Sequence, residues 1–191
     1  DIKLAESRVE GYRNFTTKLW NAARFTEINS CAPDPVFDPA QCSLTINKWI
    51  ISKVVETTEA VDQAIKAYRF NDGANALYQF TWGTFCDWYL EFTKPIFDSG
   101  DETAIAETRA ATAWALDQIL KLLHPFMPYV TEELWAQLGG AREKLLIVEP
   151  WPTFEGALTD QGAMDDMDFV VRIISEIRAV RSEMNVSPKA E

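Results

Sequence analysis

The chain has 191 residues, 47% of them hydrophobic, with 8 Gly and 9 Pro. This composition is typical of a globular protein and excludes a disordered one, and no apolar run approaches the ~18 residues of a membrane span, which predicts no membrane-spanning helix within this chain. The formal net charge of −11 argues against a general nucleic-acid binder, because an acidic surface repels phosphates.

Helical periodicity begins near residue 5 and continues to residue 29. The next segment, SCAPDPVFDPAQC, has three prolines and no period, which is typical of a loop. Ser43 can cap a second helix, which we expect to end at the turn signal Asn-Asp-Gly of residues 71–73. A third helix, which we call the aromatic helix, is apolar almost all round. This pattern predicts a central, buried position, and Pro95 is expected to follow the end of the helix.

The second half of the chain continues the helical pattern. A fourth helix ends at His124, and Thr131 caps a short fifth helix that Gly139 and Gly140 terminate. Residues 141–155 have no helical period, which predicts a short irregular or extended segment. The last helix carries an apolar stripe that we expect to face the core: Phe169, Ile173, Ile177 and Val180. The predicted helices cover residues 5–29, 43–71, 73–93, 102–123, 132–138 and 162–184.

Six helices and little strand signal predict an all-α fold, an antiparallel helical bundle. We assign residues 1–152 to this bundle and residues 153–191 to a C-terminal helix. The chain opens on Asp1 and not on Met, and it stops just after a helical pattern. We therefore interpret it as a piece of a longer protein.

The N-terminal segment and the cysteines indicate a cytoplasmic setting. Residues 1–15 are charged and lack the apolar core of a signal peptide. The three cysteines are an odd number, without a C-x-x-C motif or accompanying histidines, and this pattern predicts reduced thiols and no zinc site. A disulfide between Cys31 and Cys42 is the less favoured alternative.

No group of side chains in the sequence fits a catalytic centre. His124 is the only histidine, and its place at a helix end predicts a structural role, because a general base needs a positioned partner. The acidic residues at 165–168 suit the first turn of a helix, with metal binding as the alternative. Asp87 and Glu91 lie one turn apart on the aromatic helix, and we expect burial and pairing with an Arg or a helix N-terminus.

Three arginines of the last helix, Arg172, Arg178 and Arg181, have two interpretations. They can meet a phosphate, or they can pair with Glu176 and Glu183 on a solvated helix face. The helical spacing favours the pairing.

The first helix combines a core stripe with an unusual polar face. At ~100° per residue, the stripe comprises Tyr12, Phe15, Leu19, Ala22, Ala23 and Thr26. Asn14, Lys18, Asn21 and Phe25 fall on the opposite side, within residues 11–26, where there is no acidic residue. An unpaired base can stack on an aromatic ring, form hydrogen bonds with amides and have its phosphate neutralised by a cation. The pattern alone favours the alternative, in which Phe25 packs under a neighbouring loop.

Five segments together resemble one known family. In chain order they are DIKLAESRVEGYRNFTTKLWNAARF (1–25), NKWIISKV (47–54), FTWGTFCDWYLEFTKP (80–95), LLHPFMPYVTEELW (122–135) and FVVRIISEIRAVRSEMNVSPK (169–189). Their order and spacing resemble the anticodon-binding domains of valine–tRNA ligases, and the combination of KLWNAARF with FCDWYLE is the most specific part of the match.

The resemblance implies that the chain is the tRNA-recognition part of a large, cytoplasmic, monomeric enzyme that uses ATP to attach valine to tRNA(Val). The His-x-Gly-His and Lys-Met-Ser-Lys-Ser motifs of the catalytic domain are absent from this sequence. The resemblance thus assigns ATP with Mg, the amino acid and editing to other parts of the same protein. This chain would have no cofactor, and its partners would be the anticodon loop and the catalytic domain.

The resemblance also implies which residues contact RNA, and it favours base stacking for Phe25. The matching positions are Lys18, Asn21, Arg24 and Phe25, to which the helical face adds Asn14 and, less centrally, Arg13. We expect Phe25 to stack on an unpaired base, Asn21 to bond a base edge, and Lys18 and Arg24 to contact phosphates. The alternative function is a helical protein–protein interaction module that does not bind RNA.

Overall fold

The computed structural model describes residues 6–138, 140, 142, 144–154 and 158–187. The described residues form helices and contain no strand, which confirms the all-α prediction. None of their helices is long and apolar enough to cross a membrane. The helices are α1 (Glu6–Ile28), α2 (Thr45–Lys66), α3 (Phe70–Tyr78), a π-helical segment (Gln79–Tyr89), α4 (Leu90–Phe97), α5 (Glu102–Leu123), α6 (Pro128–Leu138) and α7 (Gln161–Glu183).

The aromatic helix differs from its prediction at both ends. Residues 71–73 do not break the chain but lie inside α3, and the turn falls earlier, where Tyr68 takes a left-handed conformation with φ 57°. Gly73 is accommodated in α3 because it is buried against α2. Pro95 lies inside α4 and not beyond it, and α4 ends two residues later at Phe97.

The middle of this helix is π-helical, which the sequence did not predict. Its hydrogen bonds skip one residue more than those of an α-helix, as in the bond from the Leu90 N–H to the Phe85 carbonyl. Phe80, Phe85 and Tyr89 of the segment are buried, which confirms the central position. A π-helical turn is wider than an α-helical one. The residues after it therefore point in other directions than α-helical periodicity predicts.

A buried polar network joins the π-helical segment to α2 and α5. The Tyr89 hydroxyl donates to Asn47 Oδ1 at 3.0 Å and lies 3.1 Å from Thr112 Oγ1. The Asn47 amide in turn donates to Glu107 and to Thr108. Burial raises the pKa of Tyr89, so its hydroxyl stays a neutral donor.

Glu107 of α5 caps the N-terminus of α2, a role that the sequence assigned to Ser43. Its carboxylate accepts from the Ser43 N–H at 2.9 Å, the Ser43 hydroxyl at 2.6 Å and the Leu44 N–H at 2.9 Å. The N-cap residue is Leu44, which has no side-chain group for this purpose. Burial alone would raise the pKa of Glu107, but these hydrogen bonds outweigh it and the pKa is lowered.

The connection after α6 is irregular, as predicted, and is held by side chains. The predicted cap Thr131 is instead buried inside α6, which begins at Pro128. Glu132 accepts from the backbone N–H groups of Leu146 and Ile147, at the short 3₁₀ turn Leu146–Val148. The guanidinium of Arg142 lies 3.4 Å from the Trp135 ring centre and bonds Asp117 at 2.6 Å. Burial raises the pKa of Asp117, against the lowering effect of Arg142.

The apolar stripe predicted for the last helix does not face the core. Phe169, Ile173, Ile177 and Val180 are between 41% and 53% exposed. The side of α7 that meets the bundle is rotated and carries Met164, Met167, Asp168 and Val171. Asp168 accepts hydrogen bonds at 3.0 Å from the Trp49 indole and from Lys53. The prediction failed because α7 has apolar residues on both sides, so periodicity alone does not select the buried one.

The three cysteines are reduced, as the sequence predicted. Cys31, Cys42 and Cys86 are free and buried, and burial raises the pKa of each thiol to about 12. The chain therefore has no Cys31–Cys42 disulfide. Gly139 and the predicted start at residue 5 lie outside the described residues.

Substitution of Glu107 by Gln should destabilise the protein at neutral pH by about 2 kcal/mol, because backbone donors of α2 lose a charged acceptor. The folded-state pKa of Glu107 is lowered, so its contribution is complete above the unfolded-state pKa of about 4.3 and is lost as the pH falls through the lower folded-state pKa. Urea unfolding of both proteins between pH 3 and pH 7, at roughly unit steps across that window, measures the effect.

The matched control is Glu59→Gln, since Glu59 is exposed on α2 and its side chain makes no hydrogen bond to another described residue. Its free energy of unfolding should follow that of the parent protein. A difference between Glu107→Gln and the parent that stays constant down to pH 3 would contradict the capping role.

Candidate nucleic-acid interface

The buried stripe of α1 fixes which of its faces is available. Phe15, Leu19, Ala22, Ala23 and Thr26 are all buried, as predicted. Tyr12 was predicted in the same stripe but is 67% exposed, because it lies one turn beyond the core and borders an apolar groove. At the other end of the helix, the Arg109 guanidinium of α5 donates to the Asn29 carbonyl at 2.9 Å. These contacts fix the orientation of α1 about its own axis.

The predicted polar face borders a groove and is not fully solvated. Lys18, Asn21 and Phe25 of α1 form one wall, and Glu91 of α4 lies on the other. The groove has a volume of about 220 Å³. Its other lining residues are Ala22, Cys86 and Leu90. The structure thus brings together three of the six predicted site residues in one concave surface.

Lys18 is held by an acidic residue that is distant in the sequence. Its Nζ donates to Asp87 Oδ1 of the π-helical segment at 2.7 Å and lies 5.3 Å from the centre of the Trp82 ring. The hydrogen bond to Asp87 is the largest influence on the pKa of Lys18, which is raised. Lys18 is therefore a charged donor whose charge is already balanced.

The prediction for Asp87 and Glu91 was wrong. Both residues are exposed, and they pair with Lys18 and Lys94 and not with an arginine or a helix end. The π-helical segment presents this side of the aromatic helix to α1 and to solvent. The strip that has no acidic residue in the sequence consequently has acidic neighbours in space.

Phe25 packs on helix α4 and not under a loop, which was the alternative that the sequence pattern favoured. One part of its ring packs on Phe97 of α4, with ring centres 6.4 Å apart, and the Lys94 ammonium lies 6.0 Å from its centre. Phe25 is nevertheless only partly buried and keeps part of its surface open to solvent. A partly exposed ring that lines a groove is a suitable platform for a stacked base.

The other predicted site residues lie around the groove and outside its lining. Asn14 and Arg24 are exposed, and neither has a hydrogen bond or ion pair to any side chain that the structure describes. Arg13 pairs with Glu10 at 3.3 Å, with both side chains well exposed. Exposed pairs of this kind are weak, so the Arg13 guanidinium is readily available to another anion.

Four side chains of the site were missed: Trp82, Asp87, Lys94 and Phe97. Trp82 and Asp87 belong to the helix that the sequence placed in the core, whereas Lys94 and Phe97 lie beyond the predicted end of that helix at residue 93. The sequence did contain one signal, the charged residues of the segment FCDWYLEFTK. A fully buried helix does not carry unpaired charges. Their orientation toward α1 depends on the π-helical turn, and no local pattern in the sequence announces it.

His124 and the acidic residues near the start of α7 have structural roles, as the sequence favoured. His124 Nδ1 lies 2.8 Å from the Thr131 hydroxyl, and its Nε2 is 4.0 Å from Glu132. Asp165 accepts from Gln161, while Asp168 anchors α7 to α2. Among the residues that the structure describes, no group of His, Cys, Asp and Glu could hold a metal ion.

The arginines of α7 contact aromatic rings and backbone. Arg172 lies 5.5 Å from the centre of the Phe169 ring, and Arg178 lies 5.0 Å from that of Trp88. Arg181 donates to the Ser187 carbonyl. The Arg178 contact is a cation–π interaction in place of the ion pair with a glutamate that helical spacing favoured.

Comparison with known proteins agrees with this geometry. Residues 47–191 match a family described as the anticodon-binding domain of tRNA ligase. The chain is 51% identical to the valine–tRNA ligase of Caulobacter vibrioides and 48% identical to that of Bartonella henselae. Each alignment covers 100% of this chain and 21% of the relative, so the chain spans about a fifth of the length of these curated relatives.

A solved structure shares the fold. It is the ternary complex of an Agrobacterium radiobacter K84 LeuRS with tRNA and LeuAMS, which aligns with a TM-score of 0.63 and 21% identity. The alignment covers 83% of this chain and 18% of that one. With the family match over most of its length, this chain belongs to the family of anticodon-binding domains of tRNA ligases.

Proposed function

We propose that this chain is the part of a valine–tRNA ligase that binds the anticodon loop of tRNA(Val). The single observation that carries the proposal is the groove beside α1, where a partly open aromatic ring, an amide and a paired cation line one surface. An unpaired base needs a stacking surface and hydrogen-bond partners at its edge. A protein–protein interaction module has no comparable need for this combination, so we set that alternative aside.

The side chains divide into those that meet bases and those that meet phosphates. Phe25 offers its exposed surface for stacking, and Asn21 beside it offers both a donor and an acceptor to a base edge. The exposed Arg24 and Arg13 and the amide of Asn14 are placed outside the groove, where a backbone would pass. Lys18 is less suited to a phosphate than the sequence suggested, because Asp87 balances its charge.

The remaining functions of the enzyme lie outside this chain in this proposal. ATP with Mg, valine and the editing reaction belong to the catalytic and editing domains, which would be joined to this bundle in one cytoplasmic, monomeric protein. The bundle itself supplies binding energy and selects the tRNA. A change in the groove should therefore alter reactions that involve tRNA and leave amino-acid activation unchanged.

Phe25→Leu in the full-length enzyme tests the stacking role. Leucine keeps most of the apolar contact with Phe97 but removes the aromatic face, and stacking on such a face contributes roughly 1–3 kcal/mol per base. We expect kcat/KM for tRNA charging to fall by about tenfold or more. Valine-dependent exchange of pyrophosphate into ATP should keep its parent rate, because it does not involve tRNA.

Phe97→Leu is the matched control, since it alters the same ring contact from the α4 side without removing the proposed platform. It should charge tRNA far better than Phe25→Leu. Equal charging by Phe25→Leu and the parent enzyme would refute stacking on Phe25.

Arg24→Gln tests the phosphate contact through its dependence on salt. Each protein cation that neutralises a phosphate of a single-stranded region contributes about 0.7 to the slope of log K against log salt concentration. We expect the slope for Arg24→Gln to be smaller by this amount in titrations of tRNA(Val) at several salt concentrations. Lys66→Gln, which removes a positive charge from the exposed end of α2, should keep the parent slope. Equal slopes for all three proteins would show that Arg24 makes no phosphate contact.

A further inference from the structure

The side of α7 that faces away from the bundle carries a continuous apolar stripe, which we call the outer seam. Met164 and Val171 pack on the bundle, and at ~100° per residue the outer seam lies on the opposite side of the helix. Its members are exposed, from 38% for the first to 69% for the last. They are Val170, Ile173, Ile177 and Val180 of α7 and its C-cap Met184. A contiguous apolar surface of this kind indicates an interaction site, whereas single exposed apolar residues do not.

The spacing of the outer seam indicates what kind of element covers it. Successive members are three, four, three and four residues apart, which are the a and d positions of two heptads. At this spacing each side chain can insert between four side chains of a second helix. A helix that faces the core of a globular domain carries a broader stripe, at a period of 3.6 residues. The outer seam therefore fits a single helix and not a broad globular surface.

The residues that flank the outer seam differ in charge between its two edges. Glu176 and Glu183 lie along one edge, and Arg181, which also donates to the Ser187 carbonyl, lies on the other. Charged residues beside the a and d positions determine which helix binds and in which direction. A helix with basic residues on the glutamate side and an acidic residue on the arginine side would complement this arrangement.

The outer seam is too small to hold a separate molecule firmly. Its members expose about half of their surface on average. Since aromatic side chains bury 150–250 Å² each and these aliphatic ones are smaller, the seam offers on the order of 400 Å². A stable interface between two molecules buries about 800 Å² on each partner. A helix of the same polypeptide can dock on the smaller surface, because its connection to α7 gives it an effective concentration of roughly millimolar.

The relatives of this chain are long enough to include such a helix. The chain covers 21% of the Caulobacter vibrioides and Bartonella henselae relatives, so most of each relative lies outside the matched region. The family match extends over residues 47–191 and thus includes α7. The outer seam consequently belongs to the family's own domain and not to an appendage of it.

We infer that a second helix of the full-length enzyme, from polypeptide outside residues 1–191, docks on the outer seam with coiled-coil packing. The inference rests on the proposed function, because it takes this chain to be one part of a longer tRNA ligase, but it involves no RNA. The docked helix would support the second half of α7, where residues 175–180 are all exposed. A helix of so few turns is marginal in water without such packing.

Ile177→Lys in the full-length enzyme tests the inference by hydrogen exchange in the absence of RNA. Ile177 is the central member of the outer seam, and a charge at this position would displace the docked helix and ease the local opening of α7. We expect the amides of α7 to exchange about tenfold faster than in the parent enzyme, which corresponds to the loss of a half-buried isoleucine contact. Mass spectrometry of the α7 peptides measures the exchange.

Ala179→Lys is the matched control, because it places the same charge at an exposed position of α7 that lies outside the outer seam. It should keep the parent exchange rates. Far-UV circular dichroism melts show whether both variants are folded.

Photo-crosslinking from position 177 identifies the occupant even if the lysine variant does not fold. A benzophenone amino acid at this position is apolar and should leave the docked helix in place. On irradiation it should attach to a segment outside residues 1–191 of the same molecule, and that segment should have its own apolar residues at alternating spacings of three and four. The product should retain the mass of a single molecule.

Three results would overturn the inference. They are equal exchange in Ile177→Lys and Ala179→Lys, a cross-link between two molecules, and a cross-link to residues 1–191 or to a segment without helical apolar spacing. Each of them leaves anticodon binding intact, because all measurements are made without RNA. Conversely, normal tRNA charging by Phe25→Leu would refute stacking on Phe25 and leave the docking on α7 unaffected.

Discussion

The buried hydroxyl of Tyr89 is the constraint on which the site depends. Tyr89 is wholly enclosed, and its bonds to Asn47 and Thr112 tie the π-helical segment to α2 and α5. A helix whose tyrosine is fixed in this way cannot rotate about its axis without leaving buried polar groups unpaired, at a cost of about 1–3 kcal/mol each. Asp87, two residues earlier, is consequently held on the side that faces α1.

The same constraint explains how an acidic chain can offer a site for RNA. A net charge of −11 would oppose binding by a broad basic surface. The groove does not rely on one, because Lys18, the cation among its described lining residues, is balanced by Asp87. The proposed stacking on Phe25 and hydrogen bonds at a base edge would depend little on net charge.

Much of the fold followed from the sequence, and the failures have a common cause. The core side of α1 and the extent of α5 were predictable because Phe15, Leu19 and Ala22 follow one helical period, and Asp101 caps α5 directly. Periodicity failed where the period itself changes, at the π-helical segment. It also failed where a breaker is tolerated by packing, as Gly73 is, and where apolar residues occur on both sides, as in α7. Tertiary contacts determine the helix type, the tolerance of the glycine and the buried side of α7, and local sequence patterns do not reveal them.

The site was predictable only on the side that α1 contributes. Lys18, Asn21 and Phe25 share a helical face, and three residues on one face are visible in any sequence. Their electrostatic character was not visible, because it comes from Asp87, 69 residues away. The charge of Lys18, in a strip that is basic in the sequence, is therefore balanced in the folded protein. This difference changes the chemistry of the site, since an unpaired lysine attracts any phosphate, whereas the charge of Lys18 is already balanced by a carboxylate oxygen 2.7 Å away.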